Sequence, residues 1–136
     1  MFQAMFLNRN AVVTSLMVLG LGVGTAGAVS AATCEDFKIT FKNATNDELK
    51  VKKFEYEDGN WKTETGMFGA DGFQKIEHGK SIYFTRNLGG IGGETTHFKV
   101  TYQHRSGGTV WGDDMVEYTD TFTCTDNGAK TVTLDR

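Results

Sequence analysis

Apolar and polar residues alternate along most of the chain beyond residue 33, and the period is two. Phe37, Ile39 and Phe41 share one phase while Lys38, Thr40 and Lys42 take the other, the pattern of a half-buried strand. Leu49 and Val51 continue in the same manner, but Phe54 and Tyr56 fall on the opposite phase, which predicts a bulge at Lys52 and Lys53. Phe98, Val100 and Tyr102 alternate with His97, Lys99, Thr101 and Gln103. Shorter strands are predicted at residues 61–65, 73–76, 81–86 and 109–111, through 119–125, and at 132–134. No run of a dozen residues carries the 3.6-residue repeat of an amphipathic helix.

Turn chemistry separates these segments. Residues 43–47, Asn-Ala-Thr-Asn-Asp, can satisfy their own backbone locally, and 57–60 form a second turn around Gly59. Residues 66–72 and 87–93 read as glycine-rich loops, and 112–117 as a further interruption. Asp126-Asn127-Gly128 has the composition of a type I′ hairpin. Eight to nine short strands at regular spacing predict an all-β fold. The expected form is a small antiparallel β-sandwich, immunoglobulin-like or related.

The first 32 residues differ in kind. They hold no acidic residue and a single charge, Arg9, followed by an apolar run and then small side chains up to Ala32. That layout is a secretory signal peptide at 1–32 ahead of one domain at 33–136. It implies export to a bacterial periplasm or the medium beyond it, with no transmembrane segment in the mature chain. Loss of Arg9 leaves a net charge of about −4, an unfavourable balance for binding nucleic acid. In an oxidising compartment the only two cysteines, Cys34 and Cys124, are expected to form a disulfide that closes nearly the whole domain.

Motifs that would carry chemistry are absent. The glycines of 87–93 are followed by Glu94-Thr95-Thr96 and a strand rather than by the Lys-Ser/Thr and helix of a phosphate cradle. His97 and His104, seven residues apart on one strand, point to opposite faces, and no zinc spacing exists, so neither a metal nor a cofactor is expected. Ser81 and Ser106, the two serines of the mature chain, lie outside any nucleophile elbow. The acids Asp113, Asp114, Glu117 and Asp120 read as a solvated loop before they read as a glycosidase pair. A non-enzymatic domain is therefore expected.

What remains is a set of large side chains at strand ends and loops: Trp61, Met67, Phe68, Leu88, Ile91 and Trp111. Such residues cover the ends of a sandwich, or present contact loops to a protein, a glycan or a lipid surface. The segment Lys38-Ile39-Thr40-Phe41-Lys42-Asn43-Ala44-Thr45-Asn46 resembles the opening of the aegerolysin-type secreted β-sandwiches, and that resemblance implies lipid binding. Three functional expectations result. The first is a secreted binding domain contacting a macromolecular partner through the loops at 66–72, 87–93 and 112–117. The second is a membrane-active, toxin-like protein inserting Phe68, Leu88 and Ile91. The third is a small hydrolase.

Overall fold

The computed structural model describes residues 31–136, which form an all-β domain without helix. Ten strands follow in order: β1 (Ala32–Asn43), β2 (Glu48–Glu57), β3 (Trp61–Thr63), β4 (Gln74–Ile76), β5 (Ser81–Gly92), β6 (Thr95–Thr96), β7 (Phe98–Arg105), β8 (Met115–Tyr118), β9 (Phe122–Thr123) and β10 (Ala129–Leu134). Residues 1–32, expected to be a signal peptide, lie outside the described residues except for Ala31 and Ala32.

Three sheets result. One runs β10-β1-β5 and one β3-β2-β7-β8, with β4 also on β2, while β6 and β9 form a small two-stranded sheet. Phe41 of β1 meets Phe54 of β2 with ring centroids 5.9 Å apart, and Phe37 meets Phe98 of β7 at 5.9 Å. These contacts lock the two larger sheets face to face in sandwich-like packing. The pairing of β2 with β7 shifts register between Val51 and Lys53, the expected bulge. It returns Phe54 and Tyr56 to the buried face already occupied by Leu49 and Val51.

Cys34 and Cys124 are joined by a disulfide and fully buried. The bond spans 90 residues, and closing a loop of that size stabilises the domain by about 4 kcal/mol on the chain-entropy account. Asn43, also buried, donates from Nδ2 to the carbonyls of Asp47 (2.8 Å) and Ile76 (2.9 Å) and accepts the Thr45 N–H. Its amide thereby holds the first turn against β4.

Several local expectations are corrected. Strand β10 runs parallel to β1, and it does not pair with β9, so Asp126-Asn127-Gly128 is not a hairpin turn. Gly128 N–H bonds the Thr125 carbonyl, and among residues 126–128 only Asn127 has positive φ (57°), a type II pattern that carries the chain between sheets. Gly128 is required for space. A Cβ there would lie 2.8 Å from both the Phe37 ring and the Thr125 carbonyl. Residues 109–111 belong to a loop rather than a strand, and the strand lies later, at β8.

The glycine-rich segment 87–93 is mostly not a loop either, because β5 continues through Gly92. Its glycines permit close approach. A Cβ on Gly92 would sit 2.7 Å from the carbonyl oxygens of Ala32 and Thr33, and one on Gly90 would sit 2.5 Å from the Asp58 carboxylate.

Candidate functional site

Burial divides the six large residues singled out from the sequence. Leu88 and Ile91 are 0% and 1% exposed, because they lie on the core side of β5. Met67 is buried, and Phe68 packs on Phe84 (5.8 Å) and Phe41 (6.1 Å), so the loop at 66–72 plugs one edge of the core. Leu88, Ile91 and Met67 therefore do not project, and Phe68 lies partly buried against the core. Tyr56, another strand-end aromatic, is buried as well and donates its hydroxyl to the Gly89 carbonyl at 3.3 Å. The two tryptophans remain, and both belong to the solvent-facing side of the five-stranded sheet.

Alternation places Lys50, Lys53, Glu55 and Glu57 of β2 on this side, beside Lys99, Thr101, Gln103 and Arg105 of β7. Val116 and Tyr118 of β8 register with Thr101 and Lys99, Trp61 of β3 with Glu57, and Lys75 of β4 with Lys50. A tight turn with positive φ at Gly59 returns the chain from β2 to β3 and sets Trp61 at one end of the face.

That end is an aromatic platform. The Trp61 ring, 36% exposed, meets the His97 imidazole edge-on at 4.8 Å and Tyr118 at 5.9 Å. Lys99 Nζ lies 4.3 Å from the Trp61 ring centroid and 2.8 Å from Glu55 Oε2, while His97 Nδ1 is 2.9 Å from Glu57 Oε2. Lys99 and the imidazole of His97 therefore each stand against a carboxylate. Glu55 sits beneath them, 5% exposed, and Lys53 also reaches it at 2.9 Å. Burial works to raise its pKa, but hydrogen bonds and attraction from Lys99 and Lys53 outweigh that and hold it below the ordinary value.

The other end is built around Trp111. The Gly112 N–H donates to the His104 carbonyl at 2.9 Å, tying the loop between β7 and β8 to the sheet. Around the indole stand Lys50 Nζ at 4.7 Å, Arg105 Cζ at 5.7 Å and Lys75 Nζ at 5.9 Å from the ring centroid. Phe73 flanks Lys50 at 5.2 Å. Seven residues of β2 separate the rows beneath the two tryptophans, a distance of about 20 Å at strand rise.

His97, Lys99 and Gln103 were recognised from the sequence as outward-facing. The grouping of Tyr118, Lys50, Lys75 and Arg105 around the two indoles was not, because it depends on which strands pair. A different trio also meets: Asp47 Oδ2 accepts from Ser106 Oγ at 3.0 Å and lies 3.3 Å from His104 Nδ1. The carboxylate stands between hydroxyl and imidazole, so the order differs from a Ser-His-Asp triad, in which the imidazole adjoins the hydroxyl. Among the described residues no three His, Cys, Asp or Glu side chains are grouped to hold a metal, and no helix is long and apolar enough to cross a membrane.

The chain matches no protein-family model, no curated protein and no solved structure. The short resemblance at residues 38–46 stands alone.

Proposed function

We propose that this is an exported, non-enzymatic binding domain that engages an extended glycan through the outer face of the five-stranded sheet. One observation carries the reading: two tryptophans on one solvent-facing side of the sheet, above β2 rows about 20 Å apart by strand rise, the first of them flanked by Tyr118 and His97. A partly exposed indole offers a flat apolar surface to the C–H face of a sugar ring, and its N–H offers a donor to a hydroxyl. A row of such platforms along a sheet suits a linear polymer better than a compact ligand. The small-molecule alternative would call for a concave, mostly apolar pocket. For the lipid reading, Leu88 and Ile91 are buried in the core and Phe68 is partly buried against it, and among the described residues Val110, beside Trp111, is the one exposed large aliphatic side chain.

Affinity electrophoresis against a panel of soluble polysaccharides tests the reading. At least one should retard the wild-type domain. Trp61→Ala should weaken that retardation about ten-fold, the scale of one buried aromatic contact. Circular dichroism should show the variant folded, because Trp61 lies outside the core. Undiminished binding by Trp61→Ala combined with Trp111→Ala would remove the sheet face from consideration.

A further inference from the structure

The charges at the two ends of the face are handled differently. At the Trp61 end, Lys99 and His97 each stand against a carboxylate. At the Trp111 end, Arg105 pairs with Glu48 at 3.3 Å, and the nearby Asp114 is taken by Lys52 at 2.8 Å. Among the described residues, Lys50 and Lys75 have no carboxylate within ion-pair distance. They are nevertheless direct register partners on β2 and β4, and like charges placed opposite each other in a sheet repel. Although the chain as a whole has a net charge of −3, Lys50, Lys75 and the Glu48-paired Arg105 are gathered at one ring. The Trp111 ring gathers them by the attraction of its π face for cations, but it brings no negative charge of its own.

We propose that Lys50, Lys75, Arg105 and Trp111 form an anion-binding subsite, and that the ligand of the sheet face is an acidic polysaccharide, a polymer of uronic acids. The inference rests on the glycan-binding reading and deepens it. A sugar carboxylate enters between Lys50 and Lys75 and gives both a direct ion-pair partner; within the protein Lys50 has only the longer-range attraction of Asp114, which is itself paired with Lys52. Neutral ring faces of the same chain stack on Trp61 and Tyr118, where Lys99 already has the Glu55 carboxylate as partner. A polyuronate carries both features in each repeat.

Both tryptophans of the chain lie in the proposed surface, so intrinsic fluorescence reports on it alone. Polygalacturonate should change the emission along a saturable curve, and Trp61→Phe should leave a response from Trp111. The fully methyl-esterified polymer keeps the backbone and lacks the charge, and it should bind about ten-fold more weakly. The double variant Lys50→Gln/Lys75→Gln should bind the acid form no better than the ester. Raising salt from about 0.05 M to 0.5 M should weaken the acid form about ten-fold in the wild type, and much less in that variant. Equal affinity for acid and ester would overturn the anion subsite while leaving the glycan reading in place. A response to dextran sulfate or phosphatidylserine vesicles with polygalacturonate silent would overturn the uronate assignment. Silence toward every polysaccharide would overturn both.

Discussion

The two outer faces of the sandwich obey the same alternation and have been given different contents. On the β10-β1-β5 side the outward positions include Thr40, Thr85, Thr131, Thr133 and Ser81, with Lys38 lying over the exposed ring of Tyr83 at 4.3 Å. These are mostly short hydroxyl side chains suited to strands, and little there needs a further explanation. On the β3-β2-β7-β8 side the outward positions hold two indoles, an imidazole, a phenol, a sunken carboxylate and a row of lysines. One of these choices works against stability when considered singly: Lys50 opposes Lys75. A surface that accepts such a cost while its twin does not is the one on which a binding role is most economically placed.

The first way to sharpen this contrast is to damage the quiet side. Gly128→Val would drive a side chain into Phe37 and the Thr125 carbonyl, next to the bond from Lys38 N–H to the Gly128 carbonyl that secures β1. It should cost about 3 kcal/mol in urea denaturation. Glycan affinity per folded molecule should be unchanged. Loss of affinity in the folded fraction would mean that the faces are not independent.

A smaller effect is expected at Glu55. Its pKa is lowered in the folded state, so its contribution to stability is present above the ordinary carboxylate value of 4.5 and is lost as pH falls through the folded value. Glu55→Gln should cost about 2 kcal/mol near neutral pH, and the gap to wild type should close on acidification below 4.5. Glu64, whose pKa is raised chiefly by burial, pulls the opposite way in both proteins, so the difference between the two melting series isolates Glu55. A gap independent of pH would show that Glu55 acts through packing alone.

The smallest effect has the opposite sign. Lys75→Thr relieves the cross-strand repulsion with Lys50 and adds a β-branched residue, at the loss of a distant contact with Trp111. Stability should rise by about 0.5 kcal/mol while polyuronate binding falls. A fall in both would make Lys75 a structural residue and bring the two faces closer in kind.

The inward face of each sheet was legible in the sequence because period-two alternation is a local property. Phe37, Ile39, Phe41, Phe98, Val100 and Tyr102 could be assigned to the core, and the bulge at Lys52 and Lys53 could be placed, without knowledge of any neighbouring strand. The outward face was legible only as a set of polar positions. The turn at 57–60 brings β3 back beside β2 and is local, but that Lys50 stands beside Lys75, or Trp61 beside His97, follows from the pairing of β2 with the distant β4 and β7. No local pattern encodes those two pairings. The glycine-rich stretch misled for a related reason. Gly90 and Gly92 answer to Asp58 and to the Ala32 and Thr33 backbone, groups far away in the chain, and composition alone makes such glycines resemble a flexible loop.

A two-dimensional nitrogen–proton NMR titration with the retarding polysaccharide is the most direct measurement of where ligand meets the domain. The indole N–H signals of Trp61 and Trp111 should move together along one saturable curve, accompanied by backbone signals of β2, β3, β7 and β8, while Thr40, Tyr83 and Thr131 stay fixed. Largest shifts at Thr40, Tyr83 and Thr131, with both indoles stationary in a protein that demonstrably binds, would contradict the account.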